Sequence, residues 1–315
     1  MNQRAKQCAG TVFMVRPAAF GFNAQTAVSN PLQQSGVADA SAARFAHDEF
    51  TGLAQALQSE GVRAVIGADT AQPPKPDSVF PNNWVSFHAD GTVVLYPMLA
   101  PNRRLERRAE LVEQVCNACS FQARRQLDLT AHEQSGRFLE GTGSMVLDHV
   151  ARVAYACRSA RTDESIVHEW ARAMEYEAVV FDSTDVRGQP YYHTNVMMWI
   201  GSRSAMVCSE SIAPEDRERV LATLRTGERE LIEIDRAAVQ AFAGNMLEVA
   251  TWDEALGDSS VLVMSSTARA ALPDVVINRL RSCVDTILAV PVPTIERVGG
   301  GSVRCMLAEV PDFPA

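Results

Sequence analysis

The 315-residue chain is most informative at first for what it lacks. No apolar run reaches the ~18–20 residues needed to cross a bilayer, so no membrane span is expected. The N-terminal "MNQRAKQCAGTVFMVRP" starts basic, but its apolar part is short and ends at Arg16-Pro17, so a signal peptide is not expected. Positive charge is not pooled in one block. The 29 basic and 38 acidic residues give a net charge of −9, and nucleic acid is not an expected partner. The short basic run "NRRLERR" (Asn102–Arg108) reads as the start of a solvated helix. The six histidines are scattered, with no pair at the helical spacing of a zinc site, so no metal is expected. "GTGSMV" (Gly141–Val146) lacks the third glycine and the acidic partner of a dinucleotide fingerprint, and neither a P-loop nor a nucleophile elbow is present. No Pro/Ser/Gly-rich linker separates two halves, which makes one domain over 1–315 the expectation. The seven cysteines form no compact framework, as suits reduced thiols in a cytoplasm. Cys116 and Cys119 form a C-x-x-C inside "LVEQVCNACS", where they read as buried helix cysteines rather than a redox or metal pair.

What is present is an ordinary globular composition, 47% hydrophobic and 7% aromatic, arranged in a recurring unit. "NWVSFHADGTVVLYPM" (Asn83–Met98) is two alternating apolar runs about Asp90-Gly91, a hairpin signal. The helical "RRLERRAELVEQVCNAC" follows. The same order returns in "GSMVLDHVARVAYACRS", the helical "TDESIVHEWARAMEYE" and the strand-like "AVVFD". It returns again in "HTNVMMWIGSRSAMVCS", with its turn at Gly201-Ser202, then "PEDRERVLATLRTG" and "RELIEI". A less clear copy runs from "GNMLEVA" through "SVLVMSS" and the helices around Ala268–Ser282 to "DTILAVPV". The first copy has "GTVFMVRP", a helix from Ala40 to Gly61 and the strand "VRAVIG". Hairpin, helix, strand therefore recurs about five times, which predicts an α/β fold built as a closed or propeller-like array.

Three places could carry chemistry. Cys305 follows "GGGSVR", whose Gly299–Gly301 either turn the chain into a last strand or leave room for a ligand beside a thiol. His193, in "QPYYHTNVMMW", precedes a very apolar strand, and an imidazole there either shuttles protons or is held by a backbone carbonyl. Glu140, in "RFLEGTGSMVLDH", stands at an apolar-to-glycine junction, where a carboxylate is either partly buried and partnered or a surface loop residue. Together, a thiol, an imidazole and a carboxylate at strand ends of different units could meet at the centre of a cyclic array.

At these residues the sequence resembles the guanidino-group-modifying superfamily, the penteins. Its members include arginine deiminases, dimethylarginine dimethylaminohydrolases, agmatine deiminases, succinylarginine dihydrolases and glycine amidinotransferases. "LEGTGSMVLDHVARVAYACRSARTD" is similar to the family's glutamate hairpin, "YYHTNVMMWIG" to its histidine strand and "GGGSVRCML" to its nucleophile segment. The resemblance runs from "MVRPAAFGFN" to the C-terminus, and "FPNNW" with "GGGSVRCM" looks most like the citrulline-utilisation or arginine-deiminase-related branch. It implies five pseudo-symmetric ββαβ modules in an α/β propeller and a cofactor-free hydrolase with Cys305 as nucleophile, His193 as general acid/base and Glu140 as its carboxylate partner. A small guanidino or ureido amino acid would be the substrate, and a homo-oligomer is compatible with the family. Arg103 in "APNRRLE" and Arg161 in "SARTD" stand where relatives hold the substrate carboxylate, a role suited to bidentate arginine.

The sequence departs from that pattern in "PDSVFPNNWVSF". Asp77 is retained, but Asn82-Asn83 replaces the Glu-Asp pair of the dimethylarginine hydrolases. Ser144 stands where many relatives have aspartate, and Gly300 bears no carboxylate. An amide supplies no negative charge, so the reacting group is expected to be less cationic than free guanidinium: a ureido compound or an N-substituted arginine. Transfer to an amine acceptor, or a non-catalytic propeller-like binding protein, are the alternatives. The proline-rich "GADTAQPPKPDSV" (Gly67–Val79) is a candidate for a loop that covers the site.

Overall fold

The computed structural model describes residues 6–34, 41–253 and 257–312. Five three-stranded sheets repeat one plan: a leading strand pairs antiparallel with a middle strand, which pairs parallel with a third after a helical crossover. In chain order from the second unit these are β3–β4–β5 (Val85–Phe87, Thr92–Leu95, Arg125–Asp128), β6–β7–β8 (Val146–Asp148, Val153–Cys157, Glu177–Phe181), β9–β10–β11 (Met198–Ile200, Ser204–Val207, Glu230–Glu233) and β12–β13–β14 (Leu247–Asp253, Gly257–Ser265, Thr286–Val290). The first unit is closed by the end of the chain. Its leading strand is β15 (Ala308–Val310), which pairs antiparallel with β1 (Thr11–Arg16), and β1 pairs parallel with β2 (Arg63–Ala68). Thr11 thus lies opposite Val310, joining the two ends of the sequence.

Parallel pairing of middle and third strands needs a long crossover, supplied by α1 (Ala42–Ser59), α2 (Ala109–Cys119), α3 (Glu164–Met174), α4 (Pro214–Arg225) and α5 (Asp274–Cys283). The sequence encodes these as amphipathic stripes. In α1, Ala46, Phe50, Leu53 and Leu57 are buried at the i, i+4, i+7, i+11 positions of one face. Ala40, at the start of the helix expected there, lies outside the described residues. The core is divided into clusters shared between adjacent units. One joins Phe13, Trp84 and Val115 of the first and second; another joins Tyr96, Leu147 and Trp170 of the second and third. No unit could bury its apolar surface alone, so the array holds together as a whole.

The Asp90-Gly91 hairpin is present, with Gly91 at φ +84. "NRRLERR" is not a solvated helix start. Pro101–Glu106 forms a 3₁₀ turn in which Arg103 and Glu106 are buried, because each supplies the other's countercharge. Cys116 and Cys119 lie in α2 as expected but are half-buried rather than buried, on the edge of a core cluster. No helix among the described residues is long and apolar enough to cross a membrane.

The feature that positions the site is the turn ahead of each leading strand. Pro81–Asn83 precedes β3, Gly141–Ser144 precedes β6, Thr194–Val196 precedes β9 and Val303–Met306 precedes β15. Ahead of β12 the chain turns through Ala241–Gly244. These turns pack on one another without room to spare. A Cβ on Gly141 would meet the Asn82 carbonyl oxygen at 2.2 Å, and one on Gly244 would meet that of Val196 at 2.4 Å.

Candidate active site

Side chains on and beside these turns line one small cavity. Cys305 lies on one wall with Gly299–Gly301; Asp77, Asn83, Arg103, Arg161 and His193 line the rest. Glu140 stands directly behind His193, fully buried. Of the candidate site positions singled out in the sequence only Asn82, Glu140 and Ser144 do not line the cavity, and each touches a residue that does.

The core of the ionised wall is Glu140. Its Oε2 lies 2.9 Å from His193 Nε2, 3.4 Å from Arg161 Nη1 and 3.7 Å from Arg103 Nη1, while Oε1 accepts from the Leu99 N–H at 3.1 Å. Burial works against its charge, but Arg161, the His193 hydrogen bond and Arg103 hold the carboxyl well below the usual carboxylate range. An ionised carboxylate only accepts, so His193 Nε2 carries the proton and Nδ1 keeps its lone pair. Burial also pushes His193 down to about 4; Glu140 raises it, and Arg161 and Arg103 lower it further. The imidazole is therefore neutral near pH 7 and able to accept a proton at Nδ1. The Gly143 backbone lies close to that atom: a Cβ there would stand 2.7 Å from His193 Nδ1 and 2.5 Å from Asn83 Nδ2. Only a residue without a side chain fits, which gives "EGTGS" a steric reason.

Both arginines are already engaged by the protein. Arg103 donates from Nε and Nη2 to the two oxygens of Glu106, each at 2.9 Å, and from Nη1 to Asn83 Oδ1 at 2.9 Å. Arg161 donates from Nε to Ser29 Oγ at 2.9 Å and from Nη2 to the Thr26 carbonyl at 2.8 Å, with its guanidinium 5.0 Å from the Tyr192 ring. Asp77 Oδ2 accepts from Asn23 Nδ2 at 2.7 Å and Thr26 Oγ1 at 3.0 Å, whereas its buried Oδ1 has no hydrogen-bond partner among the described residues. Burial raises the Asp77 carboxyl, only partly countered by Arg103. It also pushes Glu106 up to about 7, against the lowering effect of Arg103. Three buried carboxylates (Asp77, Glu106, Glu140) thus share two buried guanidiniums.

The wall around Cys305 is neutral. Sγ lies 3.3 Å from Asn245 Nδ2 and 3.7 Å from Asn195 Nδ2, so amide donors face the sulfur. Gly300 takes φ +65, and its carbonyl accepts from Tyr192 Oη at 2.5 Å and Asn30 Nδ2 at 3.1 Å. Gly299 and Gly301 lie against the Phe80 ring, where a Cβ would come within 2.9 and 3.1 Å. The loop over Gly67–Val79 is tied down by buried Lys75, which donates to the Thr70 and Pro73 carbonyls and pairs with Asp69 at 3.1 Å. That anchorage delivers Asp77 to the cavity. Among the described residues, no group of three or more His, Cys, Asp or Glu side chains is placed to hold a metal.

Sequence reasoning missed Asn195, Asn245, Tyr192, Asn30 and Glu106. A signal existed for the first two. "HTNVMMW" and "GNMLEV" carry an asparagine in the lead-in to the leading strand, as "PNNWV" does.

A family model described as "N,N dimethylarginine dimethylhydrolase, eukaryotic" matches residues 16–311. No curated protein matches the chain. Among solved structures, the substrate-bound N-terminal domain of ArgZ, an arginine dihydrolase from the ornithine–ammonia cycle in cyanobacteria, superposes with a TM-score of 0.73 at 16% identity, covering 96% of this chain and 98% of that one. Unliganded AgrE gives 0.73 at 17% identity, over 97% of this chain and 40% of that chain. A histidine-to-glycine variant of dimethylarginine dimethylaminohydrolase, as its adduct with S-methyl-L-thiocitrulline, gives 0.62 at 16% identity, over 96% and 99%. At such identities these likenesses establish the fold: the five-module arrangement is the pentein architecture.

Proposed function

The chain belongs to the N,N-dimethylarginine dimethylhydrolase family, hydrolases that act on guanidino C–N bonds, and from that premise we propose that it opens a C–N bond at the guanidino or ureido carbon of an arginine-like amino acid through a covalent bond to Cys305. The observation that carries this reading is the convergence of Cys305 and His193 on one cavity, with His193 Nε2 held 2.9 Å from Glu140. Neutral His193 takes the Cys305 proton at Nδ1, and Glu140 stabilises the imidazolium that forms. The thiolate attacks the planar carbon, forming a C–S bond. The imidazolium proton then goes to the departing nitrogen as the C–N bond breaks, and ammonia leaves. Water, deprotonated by the same imidazole, attacks the S-bound carbon and expels the thiolate.

For the reacting group we favour a ureido compound such as citrulline. Asn83 supplies no charge to clamp a guanidinium, and its amide can donate to a ureido oxygen while Asp77 Oδ1 accepts an N–H. Loss of ammonia then leaves a thiocarbamate on Cys305. Water converts it to a carbamic acid, which separates into the free amine and carbon dioxide. A second reading, an arginine-type guanidinium, is favoured by the surplus buried carboxylate, which a cation would offset; the ArgZ neighbour is described as an arginine dihydrolase.

A panel of citrulline, arginine and N-acylarginines, scored for ammonia, citrulline and ornithine-like products with and without an amine acceptor, separates the readings. Citrulline turned over to ornithine, ammonia and carbon dioxide is expected. Arginine as clearly the best substrate contradicts the ureido assignment, a transfer product contradicts hydrolysis, and no turnover of any member contradicts the proposal as a whole.

A further inference from the structure

Glu106 has no part in the hydrolytic steps, yet it is buried and holds one whole edge of Arg103. Its two oxygens accept from Nε and Nη2 at 2.9 Å each. A guanidinium is planar and rigid, so fixing that edge also fixes Nη1. Nη1 donates to Asn83 Oδ1 at 2.9 Å and stands 3.7 Å from Glu140 Oε2.

The consequence falls on Asn83. Arg103 has only donors, so the atom of the Asn83 amide facing it must be the oxygen. The nitrogen is therefore turned the other way. Nδ2 donates to Asn82 Oδ1 at 3.0 Å, and it borders the same space beside Gly143 as His193 Nδ1. One of its two hydrogens has no acceptor among the described residues, and Asn83 lines the cavity, so that hydrogen is left for an occupant. A ureido oxygen can accept from that N–H. A guanidinium has only hydrogens to offer and would leave both partners unsatisfied.

We infer that Glu106 is a positioning residue which, through Arg103, holds the Asn83 amide with its N–H toward the reacting carbon and so sets the preference for a ureido over a guanidino group. This rests on the hydrolase reading above and names the determinant of its substrate choice. A bound oxygen at this position would also accept the same hydrogen bond in the tetrahedral species, so the effect extends to turnover as well as affinity.

The test is the ratio of kcat/KM for citrulline to that for arginine in the wild type, Glu106→Gln, Glu106→Asp and Asn83→Asp. Glu106→Gln removes the charge that fixes the Arg103 edge, and the ratio is expected to fall by roughly tenfold, the worth of one hydrogen bond. Glu106→Asp keeps the charge with a shorter reach and should recover part of the ratio; it also carries the measurement if Glu106→Gln does not fold. Asn83→Asp should move the ratio in the same direction as Glu106→Gln. Folded Glu106 variants that lose activity on both compounds in equal proportion would show a merely structural residue and overturn the inference, as would a wild type that prefers arginine. A wild type inactive on both compounds overturns the hydrolase reading itself, a result distinct from an unchanged ratio.

Discussion

The two walls of the cavity are built on opposite principles. Behind His193 the wall is charged: Glu140, Arg161, Arg103 and Glu106 form one buried network with contacts of 2.9 to 3.7 Å. Around Cys305 the neighbours are amides, glycines and the Phe80 ring. The charged wall fixes geometry, because removing one member leaves a buried charge without its partner, at a cost of about 3–5 kcal/mol. The neutral wall leaves a thiol facing donors whose strength does not depend on pH. Under the proposed reaction, proton handling and substrate orientation fall to one side and bond formation to the other.

The comparison is broken most severely by Glu140→Gln. Loss of that carboxylate removes the stabiliser of the His193 imidazolium and leaves two arginines short of a partner, so kcat should fall roughly 10²- to 10⁴-fold. The acid limb gives an independent reading. Catalysis needs the neutral imidazole, which is present above its folded value of about 4, so wild-type activity should persist well below pH 6.5 and fall only near pH 4. Because Glu140 raises that value, Glu140→Gln should move the limb to still lower pH. A wild-type limb near 6.5 would mean that burial does not control His193.

Gly143→Ala tests the seam between the walls. Its Cβ would intrude 2.7 Å from His193 Nδ1 and 2.5 Å from Asn83 Nδ2. Overpacking of about 1–3 kcal/mol at the reacting position should reduce kcat more than it reduces the melting temperature, measured side by side. The mildest expected effect belongs to Asn245→Ala on the neutral wall. It removes one amide donor 3.3 Å from Cys305 Sγ and should slow the thiolate step by roughly tenfold, read as the rate of Cys305 alkylation by a haloacetamidine-type probe. Equal effects from Glu140→Gln and Asn245→Ala would erase the distinction between the walls.

How much of this was legible in the sequence follows from range. The hairpins, crossover helices and their fivefold recurrence are local patterns of periodicity and turn residues, so they could be read. The pairing of β15 with β1 joins residues 295 or more positions apart, and no local pattern announces it. Cys305, His193 and Glu140 drew attention because each stands beside glycines or a tyrosine pair at the edge of an apolar run. The run "NRRLERR" looks solvated, so only the resemblance singles out Arg103 and nothing singles out Glu106; the fold shows that each is buried against the other. Asn195 and Asn245 look like ordinary turn residues until the turns are brought around one centre.

The central claim is that Cys305 forms the covalent bond. Acid quenching of the wild type during steady turnover of citrulline or arginine, followed by peptide mass mapping, tests it directly. The account predicts a substrate-derived mass on the peptide containing Cys305, absent in Cys305→Ser together with turnover. Undiminished turnover by Cys305→Ser, or an adduct that maps to another cysteine, would contradict it.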